Sequence, residues 1–343
     1  MARWLLLPFS WLYCIVIRLL NACYDNGIFK TTKVNVPVIS VGNMTAGGTG
    51  KTPFVEYLIR YCETQQKKVA VLSRGYKRHS QGTVVIEAGN TVRGDAMLLG
   101  DEPFQLARKF PHLTMIVDAQ RTRSAQIAVN KHHVDVILLD DGFQHRALGR
   151  NLDIVMVDGQ TPLNRIPLLP AGKRREPLSS LGRANVVAFS RGQYSLNADE
   201  GKLFSGQTMK VEFLPKRLCQ VHGANVLELH QAKGKSCVAF CGIGTPAAFR
   251  QTLESVGLTV LEFFEFPDHH EYSTSELEKI RTASERHKAE LVVTTEKDSV
   301  RLQLSDAGMF PAQTLFYLEI QADITENKSQ FHHLLDEMLE KKS

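Results

Sequence analysis

An α/β fold built on a mostly parallel sheet follows from three features of this 343-residue chain. Short apolar runs alternate with helix-like segments along most of its length, the pattern of buried strands joined by covering helices. One run, at 36–41, leads into a glycine-rich turn and a helix, the setting of a phosphate-binding P-loop. Another, at 134–139, ends in the pair Asp140-Asp141, the form of a strand end that supports a divalent cation. The sequence thus predicts a P-loop NTPase-type mostly parallel sheet flanked by helices, with a second, smaller α/β domain and an N-terminal interfacial helix.

Length and composition agree. The chain is too long for one ordinary core, and 43% hydrophobic with 22% charged residues describes a globular protein without a repeat or a low-complexity tract. A formal charge of +5 suits nucleotides, anionic head groups or nucleic acid equally and decides nothing alone. The six cysteines, Cys14, Cys23, Cys62, Cys219, Cys237 and Cys241, form no C-x-x-C pair and read as reduced thiols in a reducing compartment.

Taken in order, residues 1–30 are a membrane-associating segment: Arg3, then an apolar run from Trp4 to Ile17, then Arg18. A secretory signal would export a P-loop to a place without ATP. Spanning is disfavoured because the 17 residues from Trp4 to Leu20 would be roughly 26 Å long against a hydrocarbon core of about 30 Å. A short helix lying in the interface, with Trp4, Trp11 and Tyr13 at head-group depth, fits better than one packed into the protein's own core. Residues 31–205 form the P-loop domain, with strands at 36–41, 68–72, 114–117, 134–139, 154–157 and 186–189 and helices at 53–65, 104–110 and 121–131. At 206–235 the pattern loosens, and a linker is expected. The smaller C-terminal α/β domain occupies 236–343, with strands at 236–241, 258–264, 290–294 and 314–319 and a polar helix at the end. A cleft between two domains is a natural place to enclose a substrate.

Within the loop Thr45-Ala46-Gly47-Gly48-Thr49-Gly50-Lys51-Thr52, glycines free the backbone N–H groups to face phosphate oxygens. Lys51 is placed for the β/γ phosphates and Thr52 for Mg²⁺. The usual pattern has glycine where this chain has Thr45. Asp140 and Asp141 would manage the metal ion that bridges phosphate oxygens. Asp101 and Glu102, just before Pro103, are a second acidic pair at the mouth of a helix, where a carboxylate is often only a cap. Asp268-His269-His270 is the one place in the C-terminal half where imidazole adjoins carboxylate; no third ligand at zinc spacing accompanies it, and a histidine there could relay a proton. The remaining histidines, His332 and His333 among them, read as surface residues. Arg74, Arg121, Arg123 and Lys173-Arg174-Arg175 are candidates for an anionic substrate.

Several of these segments, in order and across nearly the whole chain, resemble the bacterial lipid A 4′-kinases, the tetraacyldisaccharide 4′-kinases. They are the apolar N-terminus, the loop at 40–53, Ser73-Arg-Gly-Tyr76, Gly100-Asp-Glu-Pro103, Asp140-Asp-Gly-Phe-Gln-His-Arg146, the stretch at 169–177, Asp268-His269 and Thr295-Glu-Lys-Asp298. Asp-Asp-Gly-Phe-Gln-His-Arg is the most specific, since a generic P-loop protein has no reason to carry it. Thr45 is shared with that family's loop. The resemblance implies ATP and Mg²⁺ as cofactors and transfer of the γ-phosphate to the 4′-hydroxyl of a tetraacylated glucosamine disaccharide 1-phosphate. It implies a position at the cytoplasmic face of the inner membrane, against its anionic surface, with neither nucleic acid nor an obligate protein partner. Asp101 and His269 would act as a dyad on the attacking hydroxyl, with Lys51 and Arg121 completing the catalytic set. Thr52, Asp140, Asp141 and Glu102 would serve the metal, and Asn43, Arg74, Arg175 and Glu176 the substrate.

Two other classes share the loop. A switch-type GTPase would read guanine with lysine two residues before aspartate, where Glu296 stands before Asp298. A membrane-docked partitioning ATPase would carry lysine immediately before the Gly-Gly pair, where this chain has Ala46.

Overall fold

The computed structural model describes residues 2–76, 78–90, 96–310 and 314–340, with side chains for all of these except Ala2, Arg3 and Leu304. The basic group expected at Arg3 therefore lies outside the described side chains.

Thirteen strands form one sheet. In chain order they are β1 (Val38–Asn43), β2 (Val69–Ser73), β3 (Val84–Ile86), β4 (Thr114–Val117), β5 (Val136–Asp140), β6 (Leu152–Asp158), β7 (Val186–Ser190), β8 (Gln207–Gln220), β9 (Val226–Glu228), β10 (Ser236–Cys241), β11 (Thr259–Glu265), β12 (Leu291–Thr295) and β13 (Leu315–Glu326). Across the sheet the order is β11-β10-β12-β13-β8-β7-β6-β1-β5-β2-β4-β3, with β9 paired to β8. The N-terminal half is parallel apart from the edge strand β3, and β10, β11, β12 and β13 form a parallel set in the C-terminal half. Every residue of β1, β2, β4, β5 and β7 is buried, which explains their continuous apolar runs. β1 lies between β5 and β6, so its carboxyl end opens into the crevice where parallel α/β sheets bind ligands.

The span 206–235 differs from the expected linker. Most of it is strand: β8 pairs in parallel with β7 through Gln207–Val211 and antiparallel with β13 from Lys210 to Gln220. It therefore joins the two halves into one sheet. Its ring of Phe213 also reaches the P-loop, where a Cβ on Gly50 would lie 1.9 Å from it.

The helix Leu7–Asp25 carries Pro8 in its first turn, where no N–H is missed. Its polar side chains grip the protein. Ser10 Oγ donates to the Leu168 carbonyl at 3.0 Å, Tyr13 Oη to the Arg175 carbonyl at 2.9 Å, and Asn21 Nδ2 to Glu176 at 3.2 Å. Arg146 donates to the Asn21 carbonyl at 2.9 Å and to Asp25 at 2.6 Å. The apolar face is left to solvent, with Trp11 71% exposed, and Trp4, in the short helix Ala2–Leu5 that precedes it, is 77% exposed. Thus the helix is neither packed in the core nor detached from it.

Candidate active site

The P-loop forms as its sequence requires. β1 ends at Asn43, Gly50 takes a left-handed φ of 85°, and the helix Lys51–Thr64 begins, so the helix N-terminus opens toward the loop. Asn43 Nδ2 donates to the Gly47 carbonyl at 3.4 Å and to Thr49 Oγ1 at 3.2 Å, bracing the loop from within. Ser190 and Arg191, at the end of β7, hold it from the far side through the carbonyls of Thr49 and Gly48. The stretch 173–175 lies along it: Ala46 N–H donates to the Lys173 carbonyl and Arg175 N–H to the Met44 carbonyl, both at 2.7 Å. Thr45 is buried against this stretch, which gives the departure from glycine there a local reason.

Lys51, Asp141 and Arg175 form a chain of charge beside the loop. Lys51 Nζ is 3.6 Å from Asp141, and Arg175 Nη1 reaches the same carboxylate at 2.9 and 3.1 Å. Asp141 stays below its ordinary pKa because Lys51 and Arg175 outweigh the effect of burial. Asp140 is the opposite case. Burial first, then the charges of Glu102 and Asp141, raise its carboxyl to about 7, and its Oδ1 has no hydrogen-bond partner. An orphaned carboxylate oxygen at a strand end, with Glu102 close by, is a donor set that suits a hard cation. Yet among the described residues no three His, Cys, Asp or Glu side chains converge on one point. A bound Mg²⁺ would therefore complete its shell with phosphate oxygens and water. Thr52 occupies the second position of the helix, on the loop side.

Arg121 opens its own helix and is buried, with Nε unpartnered. Burial and then Arg74 depress its pKa, opposed by Asp140 and Asp141, so it faces the same anionic cluster. Arg74 is exposed at the end of β2. By contrast, Arg123 spends its Nε and Nη2 on Asp118, at 2.7 and 2.9 Å. Glu176, expected at the substrate, is 3% exposed and bonded to Ser180, Arg183 and Asn21. The structure puts it under the N-terminal helix.

Asp101 begins the helix Asp101–Lys109, where the helix dipole favours a carboxylate. Its Oδ2 meets His269 Nδ1 at 3.0 Å, although the two residues stand 168 positions apart. His269 sits in a left-handed turn, φ 64°, with its N–H donating to the Gly242 carbonyl. Burial alone would raise the Asp101 carboxyl, but the bonds from His269 and Arg301 hold it at about 2. Arg301 grips Oδ2 at 2.7 and 2.9 Å, and Lys297 Nζ lies 3.1 Å from His269 Nε2. Neither Arg301 nor Lys297 was singled out for a role by sequence reasoning; Thr295-Glu-Lys-Asp298 was the only pointer. His270 turns away to stack on Phe266 and bond Glu276. Away from this site, His332 is half-buried with its ring against the Tyr57 hydroxyl, correcting the expectation of a surface residue.

A phosphate cradle with paired acids on one side, and a carboxylate–imidazole pair assembled from distant parts of the chain, is the equipment of a P-loop phosphoryl-transfer protein rather than of a simple nucleotide switch. Comparison with known proteins makes the class particular. The family described as tetraacyldisaccharide-1-P 4′-kinase matches residues 2–340, and the chain belongs to it. A tetraacyldisaccharide 4′-kinase of Syntrophus aciditrophicus is 36% identical over 350 residues, covering 98% of this chain and 92% of that protein. The Aquifex aeolicus enzyme of the same name is 36% identical over 305 residues, 88% of this chain and 91% of its own length. The crystal structure described as the "apo" form of LpxK from Aquifex aeolicus in complex with ATP superposes with a TM-score of 0.79 at 32% identity, covering 99% of this chain and all of that one.

Proposed function

We propose that this protein transfers the γ-phosphate of ATP to the 4′-hydroxyl of a tetraacylated glucosamine disaccharide 1-phosphate. The observation that carries the reading is the contact of Asp101 with His269, in a chain that matches a kinase family over residues 2–340. ATP lies with its phosphates on the N–H groups of the loop from Gly47 to Lys51. Lys51 exchanges its contact with Asp141 for the β/γ oxygens, and Arg121 and Arg175 meet the charge that spreads over the transferring group. Thr52 with Asp140 or Asp141, Glu102 assisting, would hold Mg²⁺, which would supply neutralisation of phosphate charge. Asp101 accepts the proton of the attacking hydroxyl and His269 orients it. The hydroxyl oxygen forms the new bond to phosphorus, while the bond to the bridging oxygen breaks and its electron pair leaves with ADP. Arg74 flanks the acceptor, whereas Asn43 is buried and acts through the loop it braces.

The helix Leu7–Asp25 brings this site to the lipid. Its 19 residues extend about 28 Å, and its exposed Trp11 and leucines, with Trp4 just before it, suit the interface of the inner membrane's cytoplasmic leaflet, with Arg18 beside anionic head groups. The same helix is bonded to Arg175 and, through Arg146, to the segment that follows Asp140-Asp141. Membrane docking and the phosphate site are therefore mechanically joined.

The test is transfer of label from γ-³²P-ATP to the purified disaccharide 1-phosphate in mixed micelles. Labelled lipid with the wild type and none with Lys51→Ala supports the reading. ATP hydrolysis without labelled lipid overturns it.

A further inference from the structure

The dyad is held by a second layer of charge on the turn after β12. We propose that Lys297 and Arg301 are positioning residues that leave Oδ1 of Asp101 as the proton acceptor, Arg301 by occupying Oδ2 and Lys297 by fixing the tautomer of His269. The proposal rests on the kinase reading above and deepens it.

The geometry is specific. Arg301 Nε and Nη2 and His269 Nδ1 all converge on Oδ2 of Asp101, at 2.9, 2.7 and 3.0 Å. No hydrogen bond reaches Oδ1 among the described residues. Three donors on one oxygen leave the other as the lone-pair site open to a hydroxyl. An ammonium has donors only, so Lys297 Nζ at 3.1 Å makes His269 Nε2 the acceptor; Nδ1 then carries the ring hydrogen toward Oδ2 at 3.0 Å, and Arg301 Nη2, 3.3 Å from Nδ1, spends its hydrogen on the nearer Oδ2. Both ring nitrogens are then engaged, Nδ1–H as donor and Nε2 as acceptor, and the ring orients the carboxylate without itself taking the substrate proton.

The clamp is anchored from behind. Arg301 Nη1 donates to Asp298 Oδ1 at 2.8 Å and to the Gly242 carbonyl at 3.3 Å. Asp298 is fully buried and its Oδ2 accepts from the Gly242 N–H at 3.1 Å and from the Thr295 hydroxyl at 2.5 Å. The Gly242 carbonyl also receives the His269 N–H. One buried carboxylate thus ties the ends of β10 and β12 to the group that aims Asp101. The arginine is itself only 6% exposed, so its planar fork is held rather than free.

In the transfer reaction with the full-length protein, Arg301→Gln is expected to lower kcat on the order of a hundredfold, the cost of misplacing a reacting group by about an ångström. KM for ATP should change less than twofold. Arg301→Lys, which restores one charged donor but not the fork, should recover part of the loss. The second measurement is independent of activity: nitrogen NMR on histidine-labelled wild type, with His269 assigned by its loss in His269→Gln, should report the Nδ1–H tautomer, and Lys297→Met should convert it to a mixture. Wild-type kcat in Arg301→Gln would overturn the proposal. So would a fall in kcat matched by a rise in KM for ATP with no recovery in Arg301→Lys, or an Nε2–H tautomer in the wild type. Failure of the wild type to phosphorylate the lipid at all would instead overturn the kinase reading, and the proposal with it.

Discussion

Replacing Lys109 by methionine should weaken the fold more at pH 8 than at pH 6, because it leaves the Glu296 carboxylate without its cation. Lys109 ends the helix that Asp101 begins, and its ammonium touches Glu56 at 2.8 Å, Glu296 at 2.7 Å and Glu319 at 2.9 Å. Those three acids lie on the P-loop helix, on the turn before Lys297 and on β13, so one cation joins the elements that carry both halves of the site. Arg60 and Arg217 give Glu56 and Glu319 other partners, whereas Lys109 is the only cation bonded to Glu296 among the described residues. Removing one partner of a buried pair costs about 3–5 kcal/mol. With an unfolding entropy proportional to chain length, that corresponds to a fall in Tm of about 4–7 °C.

The pH dependence comes from Glu296, whose carboxyl is raised to about 7, first by burial and then by Glu56, against the pull of Lys109. A carboxyl raised in the folded state favours folding below its unfolded pKa and loses that contribution as pH rises through the folded value. Without Lys109 the folded value rises further. Between pH 6 and 8 this group should then cost the variant up to about 2.7 kcal/mol, about twice the wild-type loss. Urea titrations at the two pH values measure it. A loss below about 1 kcal/mol, or a variant more stable at pH 8, would refute the reasoning.

Other outcomes follow from the same structure. Gly50→Ala should abolish ATP binding by calorimetry, because the residue must keep a left-handed φ and its Cβ would overlap Phe213; unchanged affinity would contradict the loop geometry. Deleting residues 2–20 should reduce turnover of lipid in vesicles far more than affinity for ATP, and equal losses would count against the interfacial role of the helix. Tyr13→Phe, which removes the bond to the Arg175 carbonyl, should cost about 1 kcal/mol in thermal melts while leaving the P-loop able to bind nucleotide.

How much of this was legible in the chain depended on the range of the interaction. The P-loop is a strand, turn and helix within a few tens of residues, and Asp140-Asp141 closes an uninterrupted apolar strand, so both could be read directly. β8 was not, because alternate residues such as Lys210 and Glu212 leave one side of it polar and Pro215 interrupts it. That proline sits beside a register shift against Glu319 and Ile320, where a ladder tolerates a missing donor. Glu176 sits in a motif that marks the family, and a motif alone does not say whether a carboxylate faces ligand or holds a helix. Arg301 stands 200 residues from Asp101, and no local pattern announces their pairing. The exposed apolar face of the N-terminal segment was legible from its tryptophans and leucines, but the polar anchors at Ser10, Tyr13 and Asn21 were not.

The most direct test of the central claim is to identify the product made by the wild type and by Asp101→Asn from ATP and the disaccharide 1-phosphate, using phosphorus–proton correlation NMR. The account predicts one new phosphomonoester at the 4′ carbon, with the 1-phosphate retained and one ADP released per lipid. Asp101→Asn should bind ATP normally and turn over 10²- to 10⁴-fold more slowly, the usual contribution of a general base. Phosphate attached elsewhere, or an Asp101→Asn enzyme as fast as the wild type, would contradict it.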